Sequence, residues 1–291
     1  MCDQYTTADY REELKSVTME DDYFFTKCFS GDNECSALIL RIILDRDDLT
    51  VIEARTQNWI QNIKGHSVKL DLFCRDAEGN IFDVEIQKIK SGASSRRARY
   101  YSASMDTEAF DKNKDYEKLP ENYVIFITPE DALGNGQVIY EIERYVNGTG
   151  KKYGDGTHII HVSADLTEEG TPLGNLMHDL RCSDPDEMHY TELRNKVSYY
   201  KRTKKGVAEM SAVFEKEFER VREMGFKEGR NEGLEIGLKE GEARGISKGE
   251  ANGIRKVARN LISSGMPLSE VAKNTNLSIK EVNNLRKSMS L

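Results

Sequence analysis

The chain has 291 residues, of which 38% are hydrophobic and 32% charged, and its formal net charge is -8. No apolar run approaches the roughly 18 residues that a membrane span needs, and residues 1–15 are too polar for a signal peptide. The five scattered cysteines contain no CxxC pair, which argues against a disulfide framework or a structural zinc site and suits a reducing compartment. We therefore expect a cytoplasmic protein with no membrane partner.

Charge and texture divide the chain into units. Residues 1–20 show no periodicity and are expected to form a loosely held lead-in. Residues 21–205 contain alternating helical and strand patterns and are acidic. Residues 206–254 carry eight Lys or Arg against eleven Glu, whereas residues 255–291 carry seven Lys or Arg against two Glu. We expect four units with these boundaries, and the acidic total argues mildly against a general nucleic-acid coat protein.

The predicted elements of 21–205 follow one another in a simple order. Residues 21–47 include ALILRIIL at helical spacing, and Ser30–Glu34 is the expected helix start. Three β-rich runs follow, LTVIEA, VKLDLF and IFDVEIQKI, and the turn RDAEGN predicts a hairpin between the last two. ASSRRARYYSASMDTEAF predicts a helix capped by Ser94 or Ser95, and NYVIFIT and THIIHVSA predict further strands. This order predicts an α/β domain with a mixed sheet.

Eight glycines then recur at a strict period of four, from Gly225 to Gly253, among helix-forming Glu, Lys and Arg. Each Gly inside a helix costs about 1 kcal/mol relative to Ala, so an isolated helix is difficult to sustain here. A helical stalk whose glycines pack closely against a partner helix is favoured, and a flexible acidic linker is the alternative. The favoured interpretation predicts a homo-oligomer.

The C-terminal residues VARNLISSGMPLSEVAKNTNLSIKEVNNLRK predict two or three short helices. Gly265 is expected to end the first, Pro267 to open the second, and Ser278 to cap the third. SEVAKNTNLSIKEV is typical of a helix-turn-helix, and its basic charge agrees with DNA contact. The alternative is a small helical cap whose lysines are merely solvated.

Two carboxylates lie inside the predicted hairpin. Asp71 and Glu85 are symmetric about Glu78 in the turn, so an antiparallel pair without a bulge places them opposite each other. Because side chains alternate along a strand, Leu70 and Leu72 should point one way and Asp71 the other. Like charges opposite each other destabilise a sheet, so these carboxylates should share a proton or hold a cation.

The same face of the second strand carries further polar groups. Val84 and Ile86 should point to the core, whereas Asp83, Glu85 and Gln87 share the opposite face. Oxygen ligands favour Mg²⁺ or Mn²⁺ over zinc, and such a metal lowers the pKa of a bound water and polarises a phosphodiester. Gln87 is placed to orient that water or the phosphate. The alternative is a surface hairpin whose acids face solvent.

The run LDLFCRDAEGNIFDVEIQ, followed by RRARYY and KDYEKLPENYVIFIT, resembles the PD-(D/E)XK nuclease family transposases, also described as recombination-promoting nucleases. The resemblance spans roughly residues 21–200. It implies a restriction-endonuclease-like αβββαβ core with a mixed sheet, followed by a helical C-terminal extension, and a metal-dependent DNA endonuclease. It also implies that Asp71 and Glu85 hold the metal and that Gln87 occupies the position of the motif's Lys, where it supplies a dipole rather than a charge.

Other residues are weaker candidates. The helix after the third strand begins with a cluster of arginines that could grip the DNA backbone, although ordinary surface charge is the alternative. Glu34 could add an accessory carboxylate, although helix capping is the simpler interpretation. Gln57 follows the first strand and is a weak site candidate. The arginines are Arg96, Arg97 and Arg99.

The sequence thus predicts a Mg²⁺-dependent or Mn²⁺-dependent DNA endonuclease of the transposase type, with Asp71, Glu85 and Gln87 as its catalytic residues and paired subunits for double-strand cutting. The alternative is a catalytically inactive protein that binds DNA, or one that assembles into oligomers, while it retains the nuclease fold.

Overall fold

The computed structural model describes residues 7–61, 66–110 and 115–289. The chain divides into two compact units, Met1–Glu215 and Lys216–Leu291. The α-helices are α1 Thr7–Ser16, α2 Asp22–Phe29, α3 Asn33–Leu44, α4 Ser95–Ala109, α5 Pro172–Arg181, α6 Thr191–Arg202, α7 Lys204–Ser263, α8 Leu268–Thr275 and α9 Ile279–Ser288. The strands are β1 Val51–Ile60, β2 Val68–Asp76, β3 Ile81–Ile86, β4 Asn122–Thr128, β5 Ile139–Ile142 and β6 Thr157–Ser163.

The first unit is built on a six-stranded mixed sheet in the order β1-β2-β3-β4-β6-β5. Strands β1, β2 and β3 are antiparallel neighbours, whereas β4 lies parallel to both β3 and β6. The predicted α/β class, the mixed sheet and the restriction-endonuclease-like αβββαβ order are confirmed. Strand β5 was not predicted, because it is a four-residue, partly exposed edge strand without a period-two pattern.

The predicted hairpin register is confirmed where β2 and β3 pair. Leu72 lies opposite Val84, and the three following pairs keep the same centre of symmetry at Glu78. Gly79 adopts φ +95°, which favours glycine, and the buried carboxylate of Asp76 accepts hydrogen bonds from two turn amides. The turn therefore fixes the register from its own chemistry.

The predicted alternation around Asp71 is wrong. Leu72 packs on one face of the sheet, whereas Leu70 packs with Phe73 on the other. The neighbouring strand changes face at the same level, because Gln57 adopts a left-handed φ of +54°. Asp71 consequently lies at a kink shared by two strands, and the sequence contains no glycine that could reveal it.

Both faces of the sheet are covered. The first core lies under α1 to α3, α5, α6 and the start of α7, and it includes Phe24, Phe29 and Phe82. The second core lies under α4 and includes Phe126. These four rings are fully buried, and each such burial stabilises the fold by about 1.5–3 kcal/mol. The strands that carry the acids therefore lie in the interior of the domain.

The N-terminal elements differ partly from the prediction. The expected helix start is confirmed, because the Asp32 carboxylate accepts the Cys35 amide and caps α3. Ser94 caps α4 as predicted. Residues 7–20 were expected to form a loose lead-in, but they contain α1 and bury Met19 in the first core. Residues 1–6 lie outside the described residues.

In the second unit the segment of period-four glycines is helical throughout, as part of α7. Apart from the adjoining residues and backbone of the helix itself, no atom of the described chain would lie within 4 Å of a Cβ added at any of these eight glycines. Apart from Ile236, the larger apolar residues of this exposed segment directly follow glycines. These residues are Phe226, Leu234, Leu238, Ile246 and Ile254.

The predicted helical C-terminus is confirmed. Gly265 adopts φ +84° after α7, and Ser278 forms a capping box with Glu281 at the start of α9. Ala258, Ile262, Val271 and Val282 form the small core that joins the end of α7 to α8 and α9. Among the helices that the structure describes, no apolar stretch is long enough to span a lipid bilayer.

Candidate active site

The two predicted carboxylates come together at the end of the hairpin. The backbone amide of Asp71 donates a hydrogen bond to Oε1 of Glu85 at 2.9 Å. Glu85 is held from its other side by the parallel neighbour β4. Gln87 follows directly after β3, and its backbone amide donates a hydrogen bond to the Ile127 carbonyl of β4 at 2.9 Å. The site therefore lies where the chain leaves the sheet.

Gln87 connects Glu85 to a guanidinium group. Its Nε2 donates to Oε2 of Glu85 at 3.2 Å, and its Oε1 accepts from Nη1 of Arg97 at 3.0 Å. Nη2 of Arg97 donates to the same Glu85 oxygen at 2.9 Å. The three side chains form a closed triangle of hydrogen bonds, in which the neutral amide of Gln87 aligns the Glu85 carboxylate with the Arg97 guanidinium.

The three arginines predicted to bind DNA do not share one environment. Arg96 and Arg99 are exposed on α4, where they are accessible to DNA. Arg97 instead points inward and donates to the Gly92 carbonyl at 2.9 Å and to the Tyr101 hydroxyl at 2.7 Å. The guanidinium of Arg97 is therefore part of the carboxylate site, and its contact with DNA stays a prediction, as it does for Arg96 and Arg99.

The loop before α4 approaches this triangle closely. A Cβ added at Gly92 would lie 2.1 Å from Oε1 of Gln87. Only glycine leaves the Gln87 amide in its present position. The sequence signal for this requirement was the single glycine between β3 and the cap of α4, which the sequence analysis did not use.

Asp83 lies on the same side of β3 as Glu85 and is fully buried. Neither of its carboxylate oxygens has a hydrogen-bond donor among the described residues. A hydrogen bond between Asp83 and Glu85 would need a proton on one of them. The alternative of a surface hairpin with solvated acids is wrong, because both Asp83 and Glu85 are 0% exposed.

Burial and mutual repulsion raise the pKa values of all three acids. Burial, followed by the charge of Asp22, raises the pKa of Asp71 to about 6. Burial, followed by the charge of Asp71, raises the pKa of Glu85 to about 8, although Arg97 acts in the opposite direction. The pKa of Asp83 is raised for the same reasons, burial first and Glu85 next. One guanidinium ion-paired to the group cannot compensate two fully buried carboxylates and a third that is partly buried, so they must hold protons or take up a cation.

A fourth acid approaches from helix α2. Asp22 begins α2, and its charge is the largest neighbouring influence on Asp71. Glu34, predicted as the accessory carboxylate, lies in the first turn of α3 and lines a different pocket with Glu192 and Lys196. Asp22 is therefore the helical acid whose charge acts on the pKa of Asp71, whereas the accessory role of Glu34 stays a prediction. The sequence signal for this acid was the position of Asp22 in the first turn of α2, the helix before α3.

The donor set fits a hard divalent cation. It consists of carboxylate and amide oxygens, and the unpaired oxygens of buried Asp83 lack positive compensation. Asp71 and Glu85 are the residues that would hold such an ion, with Asp22 as an accessory group. The acids are more widely spaced than a closed cage, because no three of their oxygens are found within 4.8 Å of one another among the described residues.

A tighter group of metal-capable atoms lies elsewhere, at His178, Asp179 and His189. Both oxygens of buried Asp179 already accept hydrogen bonds from the backbone amides of His189 and Tyr190. The ring of His178 contacts the same carboxylate at 3.1 Å. The Asp179 carboxylate therefore has a structural role, because it holds the backbone of the loop between α5 and α6 in place.

Comparisons with known proteins identify the family of the chain. Searches of curated proteins and of solved structures find no match. Residues 19–163, about half of the chain, match the family model of the PD-(D/E)XK nuclease family transposases. The matched span runs from just before α2 to the end of β6, so it includes the whole carboxylate site with Gln87 and Arg97. The chain belongs to the PD-(D/E)XK nuclease family transposases.

Proposed function

We propose that the chain is a DNA endonuclease that hydrolyses phosphodiester bonds with Mg²⁺ or Mn²⁺ as its cofactor. The observation that supports this most strongly is the group of Asp71, Asp83 and Glu85, of which the last two are fully buried and the first is partly buried, and which has more negative charge than Arg97 can compensate. Membership of a nuclease family supports the same chemistry, and nucleases of this kind generally use divalent metal ions.

Each residue of the site has a distinct proposed role. Asp71 and Glu85 bind the cation, and Asp22 adds negative charge from helix α2. When bound, the cation lowers the pKa of a water and polarises the phosphodiester. Gln87 orients the scissile phosphate or the attacking water through its amide, which is already aligned by Glu85 and Arg97.

A plasmid-nicking assay tests this proposal. We expect the wild type to nick DNA with Mg²⁺ or Mn²⁺ and to stop when EDTA is added. Asp71→Ala and Glu85→Ala should lose nicking, whereas Glu34→Ala, which removes an exposed acid, should retain it. Unchanged nicking by Asp71→Ala would show that the site is wrongly assigned. DNA binding that survives EDTA without any cleavage would favour the catalytically inactive alternative.

We also propose that the C-terminal unit contacts DNA. Helices α8 and α9 join at Asn276, which has a left-handed φ of +55°, and their order, two short helices separated by three residues, resembles a helix-turn-helix. Lys280, Asn284 and Lys287 are exposed on one side of α9, and Val282 is buried on the other. This stripe contains no acid, so it suits a helix that enters the major groove.

Salt-dependent binding tests the C-terminal contact. Lys280→Ala with Lys287→Ala should lower affinity for duplex DNA and reduce the slope of log K against log salt by about 2. Lys227→Ala with Lys248→Ala removes two equally exposed charges from α7 and serves as the control. An unchanged slope in the α9 variant would contradict the contact.

We further propose that residues 206–254 associate with the same segment of another copy and that 21–205, 206–254 and 255–291 are the functional divisions. The exposed glycines of α7 and the apolar residues that follow them support this self-association. Pairing of subunits suits double-strand cutting, since each site would cut one strand. Cytoplasmic location stays a prediction from the cysteine usage.

A further inference from the structure

The carboxylate site contains one guanidinium group that is ion-paired to its acids. Arg97 donates to Glu85 and Gln87 at 2.9 and 3.0 Å, and it comes from a different element, α4. Gln87 itself is neutral. The nearest basic neighbour in sequence, Lys88, bonds instead to Asp21 at 3.3 Å. Among the described side chains, the cation that is ion-paired with Glu85 therefore comes from α4 and not from the strand that carries Glu85.

The guanidinium is held in place from behind. Its Cζ lies 4.8 Å from the ring centroid of Tyr101 and 5.7 Å from that of Phe126. The Tyr101 hydroxyl and the Gly92 carbonyl accept two further hydrogen bonds. A cation stacked on rings and bonded on several edges needs little reorganisation to act on a substrate.

Phosphodiester hydrolysis needs such a charge. Negative charge builds up on the phosphate oxygens in the transition state, and fixed donors that face those oxygens lower the barrier. An amide at Gln87 offers only a dipole. An Arg can offer both a full charge and a planar fork of N–H donors that matches phosphate geometry.

We propose that Arg97 supplies the fixed positive charge that stabilises the scissile phosphate during hydrolysis, and that Gln87 is its positioning residue. This inference rests on the proposed nuclease function. In the motif of the family the Lys at the position of Gln87 carries a positive charge, and here Arg97 of α4 would supply that charge instead.

The proposal has a second consequence that does not depend on catalysis. Arg97 donates to Oε2 of Glu85, a carboxylate that would also hold the cation. Like charges repel, so loss of the guanidinium should strengthen binding of a divalent cation while it slows cleavage. A residue that only supports the fold would weaken both.

Four variants of the full chain test this inference: Arg97→Lys, Arg97→Met, Gln87→Lys, and Arg97→Met combined with Gln87→Lys. Binding of Mn²⁺ alone is measured by calorimetry, and single-turnover cleavage is measured separately. Arg202→Met is the control, because Arg202 pairs with Asp184 and Asp186 on the surface. Thermal melting establishes that each variant is folded.

We expect Arg97→Met to lower the cleavage rate by about 100-fold and to tighten Mn²⁺ binding by about 5-fold. Arg97→Lys should retain part of the rate, because it keeps the charge but loses the planar fork of donors and the stacking on Tyr101. An ammonium introduced by Gln87→Lys lies beside the vacated position and should restore about 10-fold of the rate lost in Arg97→Met.

Different results separate this inference from the function on which it rests. If the wild type cleaves and Arg97→Met cleaves equally well, the proposed function stands and the role of Arg97 is wrong. If Arg97→Met loses Mn²⁺ binding together with cleavage, and Gln87→Lys restores neither, Arg97 is a structural residue and the inference is overturned. If the wild type does not cleave, both proposals fail.

Discussion

Arg97 and Glu85 form an ion pair at 2.9 Å in which the side chain of Glu85 is 1% exposed and that of Arg97 is 34% exposed. The pKa of Glu85 is nevertheless raised to about 8, because burial and the charge of Asp71 outweigh the guanidinium. Without a divalent cation, ionisation of the carboxyl groups in this site is therefore unfavourable. This property leads to predictions for stability as well as for cation binding.

The acids should make the cation-free protein less stable as the pH rises. Glu85 has an ordinary pKa of 4.5 and a folded pKa of about 8, and Asp71 changes from 3.8 to about 6. Between these values the folded chain binds more protons than the unfolded chain, so this contribution to stability is present at low pH and is lost between about pH 4 and 8. Denaturation in EDTA should show a higher free energy of unfolding at pH 5 than at pH 8.

Asp83→Asn isolates this effect. An amide keeps the shape of the side chain, carries no charge, and can donate a hydrogen bond toward Glu85. We expect the variant to be more stable than the wild type at pH 8 by about 1 kcal/mol and to have a flatter pH dependence. Glu34→Gln, an exposed change, is the control. An identical pH slope in Asp83→Asn and wild type would contradict the prediction.

Binding of Mn²⁺ should depend on pH in the opposite direction. A cation binds ionised carboxylates, so protons held by Glu85 with a pKa of about 8 and Asp71 with a pKa of about 6 must leave first. Affinity should rise between pH 6 and 9, by up to about 10-fold per pH unit for each proton released. Calorimetry in buffers of different ionisation enthalpy counts the protons. Affinity that is constant over this range would refute the idea.

Gly92→Ala should impair the site while it leaves the fold largely intact. The added Cβ would lie 2.1 Å from Oε1 of Gln87, but that oxygen is the end of a flexible side chain and can move away. Displacement of the amide from Arg97 should lower cleavage by about 10-fold or more, because small misplacements are costly in a catalytic site. Thermal melting should change little.

A double-mutant cycle provides the control for this prediction. In a Gln87→Ala background the clash partner is absent, so Gly92→Ala should have little further effect on cleavage. Equal losses in both backgrounds would mean that Gly92 acts on the loop and not through Gln87.

Local chemistry explains why part of this site could be predicted from the sequence. The turn around Gly79 sets the register of β2 and β3, so the approach of Asp71 to Glu85 follows from counting residues about Glu78. The Ser94 cap of α4 follows in the same way from a short polar stretch before a helical pattern. Each of these features is determined by residues within one hairpin or one helix end.

Other features depend on contacts that short patterns do not contain. Gln57 adopts a left-handed φ inside β1, at the level where Leu70 and Leu72 of the paired strand β2 pack on different faces of the sheet. No glycine marks this position in the sequence. The inward position of Arg97 depends on Tyr101 and on a buried Glu85 twelve residues earlier. Local pattern treats Arg97 like its exposed neighbours on α4, so only tertiary structure separates them.

The period-four glycines of α7 lead to the last prediction. A Cβ at Gly233, Gly237 or Gly241 would meet no atom of the described chain within 4 Å beyond the adjoining residues and backbone of the helix itself. In an isolated chain, changing all three to Ala should therefore stabilise the helix by about 3 kcal/mol in total. If copies of the chain pack closely along these glycines, the added methyl groups will instead keep the helices apart.

The triple Ala variant should thus raise helix content by circular dichroism and lower self-association in sedimentation equilibrium. Its control changes three other exposed positions of the same helix to Ala, namely Asn231, Ser247 and Asn252. The control adds helix propensity without touching a glycine, so it should associate like the wild type. If the glycine variant also associates like the wild type, the glycines are not the interface, because a close helix contact cannot accept three new methyl groups without loss of affinity.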